Sequence, residues 1–591
     1  MEKVKILRVD DITVLYKELK SLKISEIVDS VIKDHNNWSG ISSGEIILIW
    51  LCYLLSEGRH QISYVEDWVS DRLELLQYLS GNKNLSKKSF TDDKIETILE
   101  HISKPGVWTN IEKEVNKNSL EVYRFECPKS LPTYRVDSAP MNGHRQVIEG
   151  GLFQKGFAKH HNPNLPLFKI MLCTLDNAVN NIGYPVGHLT FPGNETDDTH
   201  YIGIIEHSHK CMPSRYRKNN LYVGDKKLSS KANRAFIVSS DNAYLCPLPR
   251  TIVSDEMLSK IVGGTPESVY QKIYREEIKN GKEEKILVAE GFEQVVKMEG
   301  EYEKKNKWEE RRLFVRSTAY ARSQKKSLEA KLIKAEWDLM GLFLKKQGKK
   351  SIKTPESAKK AIAGVIKKYK VEGLLQTELL YTTTEKEIRA YKDRPKRTEV
   401  YYTFNVKVTR DKVQIADKKA LMGFMVYATN ALESDLGFED CVWKYRHQSR
   451  IERRFHDIRN KIVPLLPIYL QKDNRIEALI NVLILALKLC AIMEFKAAST
   501  IKKKAEPISG LYEGNPRRKT ATPAATRMLS AFEGISIVLF FSEGKLIKVL
   551  SNEIKPIHRK VLTLLGIKED ILDTLPEKIR TFFQELTFDD R

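Results

Sequence analysis

Apolar residues recur at helical spacing through the first part of the chain. In "SFTDDKIETILEHI" they follow the i, i+3, i+4, i+7 pattern of an amphipathic helix, at Ile95, Ile98, Leu99 and Ile102. The stretch "SSGEIILIWLCYLL" is apolar through most of its length, which predicts a buried helix. Residues 1–129 are therefore predicted to form a helical N-terminal domain.

The pattern changes to strands after the two prolines of "ECPKSLPTYRVDS". Four segments have a strand pattern: "TYRVDS", "LFKIMLCTLD", "IGYPVGHLTF" and "RAFIVSSD". In the second and fourth, "IMLCTL" and "AFIV" are almost continuously apolar, as expected of strands covered by helices on both faces. These segments predict a layered α/β core over 130–255, with a helix in "THYIGIIEHSHK" between the third and fourth strands.

The rest of the chain divides into three further parts. Residues 256–435 mix basic helical stretches with the alternating strand pattern of "TEVYYTFNVKVTRDKVQIA", which predicts an inserted mixed α/β domain rich in strands. The core is predicted to resume over 436–500. A segment rich in Pro, Gly and Thr follows, so 501–591 are predicted to be a linker and a small C-terminal unit that could serve in dimerisation.

Charge and cysteine usage narrow the classes of partner and compartment. The chain has 98 Lys and Arg against 77 Asp and Glu, a net charge of +21, which favours nucleic acid or an anionic membrane as partner. The apolar stretch 46–55 is too short to span a bilayer and the stretch 479–495 is broken by Lys488, so both are predicted to be buried helices. The dispersed cysteines contain no CxxC, which indicates a reducing compartment. "HSHKC", residues 207–211, matches no closed zinc pattern.

Two aspartates are candidates for a shared site. Asp137 ends the predicted strand "TYRVDS" and Asp241 ends the predicted strand "AFIVSSD". Sites in open α/β sheets form at the carboxyl ends of strands, so these two carboxylates could face one cleft. Either residue alone also fits a turn or a cap, so the hypothesis requires a third acid.

Glu452 is the candidate third acid, within the basic segment "YRHQSRIERRFHDIRNK". At about 100° per residue, four residues of a continuous helix fall within about 60° of one another; these are Tyr445, Gln448, Glu452 and Arg459. An apolar stripe is predicted beside them, formed by Ile451, Phe455, Ile458 and Ile462. The other cations are predicted on a separate face, formed by Arg446, Arg450, Arg453, Arg454 and Lys461. No Lys or Arg stands one turn from Glu452 on the helix, which disfavours a local ion pair.

The order of these segments resembles the DDE transposases of the insertion-sequence-four superfamily. "VDSAP", "GYPVGHLTFPGNETD" and "FIVSSDNAYLC" resemble the segments around the first two acids of that family. The family's last acid lies on a helix written Tyr, two residues, Arg, three residues, Glu, six residues, Lys or Arg. The matching positions here are Tyr445, Gln448, Glu452 and Arg459, with Gln448 standing in place of the usual Arg. The long gap between Asp241 and Glu452 fits an inserted domain.

The resemblance implies a fold and an activity. The fold would be an RNase-H-like core interrupted by a β-rich insertion. Asp137, Asp241 and Glu452 would be catalytic and would hold two Mg²⁺ or Mn²⁺ ions, which suit carboxylate ligands. DNA contacts would come from Tyr445, Gln448, Arg453 and Arg459. The protein would act as a homodimer on double-stranded DNA, at terminal inverted repeats and a target, in the bacterial cytoplasm at the nucleoid and not at a membrane.

Two alternatives stay open from the sequence. One is an RNase-H-like nuclease that cuts DNA without joining it to a target. The other is a catalytically inactive, transposase-derived DNA-binding protein, which the Gln448 substitution keeps in consideration although all three acids are present.

Overall fold

The structure, a computed structural model, describes most of the chain in two compact units. The described residues are 3–34, 38, 40–122, 131–156, 164–177, 179–180, 182–279, 282–344, 352–390, 395–460, 462, 464–542 and 545–584. The first unit comprises 1–246, 297–310 and 429–591, and the second comprises 247–296 and 311–428. The predicted boundary at 129/130 lies outside the described residues.

The N-terminal part of the first unit is helical, as predicted, apart from one short strand. Its elements are β1 (Lys3–Arg8), α1 (Ile12–Ser21), α2 (Ile24–Val31), α3 (Ser43–Glu57), α4 (Val65–Asp71), α5 (Leu73–Ser80), α6 (Asp92–Ile102) and α7 (Val107–Val122). The predicted apolar face of α6 is buried. Nearly every side chain of α3 is buried as well, which confirms the buried helix predicted there.

A mixed sheet of five strands forms the centre of the first unit. Its elements and the helices between them are β2 (Thr133–Asn142), β3 (Leu167–Leu175), β4 (Tyr184–Pro192), α8 (Tyr201–Cys211), β5 (Leu221–Val223), α9 (Lys231–Ser239) and β6 (Ala243–Pro247). These strands lie in the order β4-β3-β2-β5-β6. The pairs β4–β3 and β3–β2 are antiparallel, whereas β2–β5 and β5–β6 are parallel. The molecule is therefore an α/β protein with a mixed sheet, as predicted at that level.

The prediction of a strand in "RAFIVSSD" is wrong, because this segment is α9 and the turn after it. The helix begins after Ser230, whose side chain accepts a hydrogen bond from the amide of Asn233. A short apolar run fits a buried strand and the buried face of a helix equally well. The neighbouring places in the sheet belong to β5 and β6, which the sequence analysis did not predict.

The second unit combines long strands with four helices. Its elements are α10 (Asp255–Gly264), β7 (Gln271–Lys279), β8 (Lys282–Tyr302), β9 (Lys304–Ser317), α11 (Thr318–Met340), α12 (Pro355–Tyr369), β10 (Leu375–Ile388), β11 (Arg397–Arg410), α13 (Lys412–Ala420) and β12 (Phe424–Thr429). Residues 297–310, where β8 turns into β9, belong to the first unit. Strands β10 and β11 form a separate antiparallel ribbon that packs with α11 and α12 around Leu332, Leu339 and Val406.

The C-terminal part returns to the first unit. It consists of α14 (Phe438–Arg446), α15 (Ser449–Asn460), α16 (Asp473–Lys504), α17 (Ala525–Ser530), β13 (Ser536–Ser542), β14 (Lys545–Ser551), α18 (Pro556–Leu565) and α19 (Leu575–Gln584). Strand β13 pairs with both β14 and β1, so the two ends of the chain share one small antiparallel sheet. This pairing differs from the prediction of separate N-terminal and C-terminal parts, since residues so far apart in sequence carry no local signal of it.

Helix α16 is long and apolar enough to cross a membrane by length and composition alone. In the structure 94% of its most apolar window is buried inside the protein, as in the core helix of a globular unit. Lys488, which interrupts the apolar run, is also buried. Its ammonium group donates to Asn116 Oδ1 and to the carbonyl of Pro185, both at 2.7 Å. The prediction of a buried helix at 479–495 is confirmed.

We expect a pH-dependent stability term from Asp11, at the start of α1. Burial, with a smaller contribution from the charge of Asp10, raises the pKa of Asp11 to about 7 although Ser56 donates a hydrogen bond to it. An acid with a raised pKa stabilises the fold below its unfolded pKa near 4 and loses that contribution as pH rises towards 7. Thermal unfolding midpoints at pH 5 and pH 8 should therefore differ less in Asp11→Asn than in the unaltered protein. The exposed Asp92→Asn is the control, and an equal pH dependence in Asp11→Asn would contradict this assignment.

Candidate functional site

Asp137 lies in the middle of β2 and not at its end, because the strand continues to Asn142. Side chains alternate between the two faces of a strand, so Asp137 shares its face with Arg135. Arg135 is fully buried and donates to both carboxylate oxygens of Asp176, at 2.8 to 3.0 Å. Asp137 itself is half-buried, and its Oδ1 accepts from the Ser138 amide at 2.8 Å.

Asp225 lies two residues beyond the end of β5, the parallel neighbour of β2. Arg135 is opposite Val223 in the register of these strands, and two residues further along each chain are Asp137 and Asp225. With paired strands about 4.8 Å apart, this register makes the two half-buried residues neighbours. Gly224 lies between Val223 and Asp225 and packs closely against Leu228. A Cβ at this position would lie 2.9 Å from the Leu228 side chain, so a larger residue would require Leu228 to shift.

The hydroxyl of Tyr201 is near both acids. It donates to Asp225 Oδ1 at 2.7 Å, and the amide of Lys227 donates to the same oxygen at 2.8 Å. Burial raises the pKa of Tyr201 well above its ordinary value, and the charges of Asp225 and Asp137 raise it further. The charges of both carboxylates therefore raise the pKa of the same buried phenol. The hydroxyl of Tyr201 in turn holds Asp225 in place by its hydrogen bond.

Asp241 lies at the other end of these strands. It occupies the turn between α9 and β6 with a φ of 56°, and its carbonyl accepts from the Asn219 amide, just before β5 begins. Its side chain is 63% exposed and pairs with Lys218 at 2.8 Å. From Asn219 to Asp225 the chain advances about 20 Å at the rise of a strand. The structure thus does not bring Asp241 beside Asp137, contrary to the sequence prediction.

Helix α15 runs alongside β2, and Glu452 is at the same level along the strand as Asp137. At its start Gln448 Oε1 lies 3.4 Å from Arg135 Nη1, and near its end Arg459 donates to the carbonyl of Pro140 at 2.9 Å. The helix advances about 16 Å between these two contacts and β2 about 17 Å, so the two elements run side by side. Glu452 is a little over a third of the way from Gln448 to Arg459, and Asp137 is about the same fraction of the way from Arg135 to Pro140. The two acids are therefore at the same level.

Within α15, Glu452 and Arg459 are about 20° apart around the helix axis, so Glu452 lies on the same side of the helix as the arginine that reaches β2. The carbonyl of Gln448 accepts from the amides of Ile451 and Glu452, which makes it part of the same helical turn. Glu452 is exposed to solvent. Asp137 and Asp225 are thus half-buried neighbours, and α15 brings the exposed Glu452 to the level of Asp137.

The predicted continuous helix from Tyr445 onward is two helices. α14 ends at Arg446 and α15 begins at Ser449, so the projection from Tyr445 across this break does not hold. Tyr445 is half-buried on the last turn of α14. The apolar stripe of α15 is buried as predicted: Ile451, Phe455, Ile458 and Ile462 are each at most 4% exposed.

The predicted basic face is divided between surface and core. Arg453 is 39% exposed and lies 3.7 Å from Glu494. Arg450 donates to Asp176 at 2.9 Å and so holds the start of α15 to the residue that binds Arg135. Arg454 is fully buried, which contradicts its predicted place among exposed cations. It donates to the carbonyl of Gly183 and pairs with Asp457 and Glu494.

The site can be described chemically from its donors. Asp137, Asp225 and Glu452 offer only carboxylate oxygens, the ligands that Mg²⁺ and Mn²⁺ prefer. Asp225 was not predicted as a site residue from the sequence, although the segment "LYVGD" ends a short apolar run with Gly and Asp. A strand of three residues is too short to show a period of two, so the alternation that marks strands was absent.

Comparison with known proteins adds no family assignment. No protein-family model matches the chain, and no curated protein matches it. The functional interpretation therefore depends on the motifs and on the geometry described above.

Proposed function

We propose that the protein is a DNA transposase with an RNase-H-like core, acting on the terminal inverted repeats of its own element. The observation that carries the proposal is the position of Asp137 and Asp225 near one buried tyrosine, with α15 alongside β2 so that Glu452 is level with Asp137. The mixed order of the five central strands and the resemblance of the α14–α15 segment to the family's last motif support it. In this proposal Asp225 replaces Asp241 as the second acid.

The three acids suit a two-ion phosphoryl-transfer site. Asp137 and Asp225 would hold one ion, and Asp137 with Glu452 the other. Two Mg²⁺ or Mn²⁺ ions so bound would activate the attacking oxygen and stabilise the leaving oxygen at a phosphodiester. The chain's own contribution is placement: Tyr201 orients Asp225, and the contacts of Gln448 and Arg459 with β2 hold Glu452 level with Asp137.

The residues predicted to contact DNA differ in whether they lie at the surface or against β2. Arg453, next to Glu452 in the chain, is partly exposed and would bind a phosphate near the cut. Tyr445, on the last turn of α14, would be a further DNA contact. Gln448 and Arg459 direct polar atoms at β2, so in this proposal they position α15 in addition to any contact with DNA. A net charge of +21 fits binding of DNA, with an affinity that falls as salt rises. The protein would work as a homodimer at the nucleoid in the cytoplasm.

The test uses DNA from the two sides of the gene. If terminal inverted repeats are present there, the purified full chain should bind them in preference to other sequences and cut them with Mg²⁺ or Mn²⁺. Cutting without joining to a target would favour the nuclease, and specific binding without cutting in either metal would favour the inactive DNA-binding protein. Absence of both specific binding and metal-dependent cutting would contradict all three.

A further inference from the structure

A second group of metal-binding side chains lies where α7 packs against α8. Glu112 on α7 is fully buried, and its Oε2 lies 2.8 Å from His207 Nε2 and 3.4 Å from Cys211 Sγ. His207 and Cys211 are four residues apart on α8, so they share one face of that helix. Their Nε2 and Sγ atoms are 3.5 Å apart. Three donors of different chemistry, an oxygen, a nitrogen and a sulfur, thus lie within 4.8 Å of one another.

His188 on β4 supplies an independent observation. It is 5% exposed, and its Nε2 lies 2.9 Å from Asn481 Oδ1, an acceptor, so the ring proton belongs on Nε2. The other nitrogen, Nδ1, then carries a lone pair. It is buried without a hydrogen-bond partner and lies 3.9 Å from Glu112 Oε1, which is beyond hydrogen-bonding distance. Nδ1 of His188 thus lies close to a carboxylate oxygen of Glu112.

The charge around Glu112 is divided between its two oxygens. Lys488 Nζ is 3.1 Å from Oε1, the oxygen that faces His188. Oε2 faces His207 and Cys211. A metal ion bound there would displace the thiol proton of Cys211 to solvent and bind the lone pair of the neutral imidazole. Burial raises the pKa of the Cys211 thiol, and the charge of Glu112 raises it further. A bound metal reverses this, because a coordinating thiol is deprotonated outright.

We propose that Glu112, His207 and Cys211 form a Zn²⁺ site with three protein ligands. With metal–ligand bonds of about 2.0 to 2.3 Å, neighbouring atoms of a tetrahedral site are about 3.3 to 3.7 Å apart. The distances from Cys211 Sγ, 3.4 and 3.5 Å, already have this length. The distance between His207 and Glu112 would lengthen by about half an ångström.

Two further features fit zinc. Imidazole, thiolate and carboxylate together suit Zn²⁺ better than Mg²⁺, which prefers oxygen alone. His207 is 15% exposed, which offers the ion a path from solvent. The ion would tie α7 to α8, a structural role separate from Asp137, Asp225 and Glu452.

The sequence could not indicate this site, since "HSHKC" contains only two of its ligands. The third, Glu112, lies on a helix far earlier in the chain. His209, within the same motif, binds the hydroxyl of Tyr222 and takes no part.

Metal content of the purified full chain tests the proposal. After incubation with Zn²⁺ and desalting, we expect about one Zn²⁺ per chain by mass spectrometry of the metal. Cys211→Ser and His207→Gln should each lose most of it, whereas Cys52→Ala, a buried cysteine on α3, should retain it. With Co²⁺ in place of Zn²⁺, the unaltered protein should show a thiolate-to-metal absorption band that Cys211→Ser lacks.

Two results would overturn the zinc site. One is an unaltered chain that retains no Zn²⁺ after incubation. The other is retention by Cys211→Ser and His207→Gln equal to that of Cys52→Ala. If Cys211→Ser does not fold by circular dichroism, the half-buried His207→Gln decides the outcome. Loss of DNA cleavage does not enter this test, so it is independent of the proposed function.

Discussion

Asp225→Asn is expected to lower the rate of DNA-end cleavage by about 10³-fold or more, since one carboxylate of a metal-binding pair loses its charge. Asparagine keeps the size of the side chain and an oxygen that can accept from Tyr201 and from the Lys227 amide. The fold around β5 should therefore survive. Binding of end DNA should change little, because the substitution removes no cation.

Asp241→Asn is the matched control for this prediction. It makes the same chemical change at an exposed turn, where the only cost is the surface pair with Lys218. Its cleavage rate should stay within about twofold of the unaltered protein. Asp137→Asn and Glu452→Gln should behave as Asp225→Asn does. Full activity of Asp225→Asn, or loss of activity in Asp241→Asn, would return the second acid to Asp241.

Arg454→Ala is expected to destabilise the first unit by about 3 to 5 kcal/mol, because it leaves two buried carboxylates without their cation. Arg454 is fully buried and bonds to Asp457 on its own helix and to Glu494 on α16. It also donates to the carbonyl of Gly183 at 2.9 Å, next to β4. One side chain thus joins α15 to both the sheet and the core helix.

Arg453→Ala provides the comparison, since it removes the neighbouring arginine at the surface. Its 3.7 Å contact with Glu494 is partly exposed, and such pairs stabilise by about 0 to 1 kcal/mol. Urea unfolding of both variants measures the difference. Equal stabilities would show that Arg454 does not carry the buried network. In DNA binding the order should reverse, with Arg453→Ala weakening the affinity at low salt.

The elements that the sequence predicted are those with long, regular patterns. Helices α3, α6 and α16 and strands β2, β3 and β4 were found because several turns or alternations repeat the same signal. Strand β5 has three residues and α9 contains a short apolar run, so neither pattern was long enough to decide. Strand β5 was not predicted, and α9 was predicted as a strand. For these two reasons the sequence pattern indicated Asp241, and not Asp225, as the second acid of the proposed site.

The candidate site was predictable only where its signal was local. Glu452 was found from helical periodicity and lies on the same face of α15 as Arg459, whereas Gln448 precedes this helix. The burial of Arg454 could not be predicted, because its partner Glu494 lies on a different helix. The same holds for the contact of Glu112 with His207, which depends on how α7 meets α8. Contacts between residues that are distant in the chain cannot be predicted from a local pattern.

The central claim is strand transfer at a site formed by Asp137, Asp225 and Glu452. The most direct measurement incubates the full chain with Mg²⁺, labelled DNA carrying the ends of the element, and a circular target plasmid. We predict that labelled ends become covalently joined to the plasmid, that chelation of the metal abolishes joining, and that Asp225→Asn gives none while Asp241→Asn gives the normal amount. Ends that are bound but never joined to the target by the unaltered protein, in Mg²⁺ or in Mn²⁺, would contradict the account.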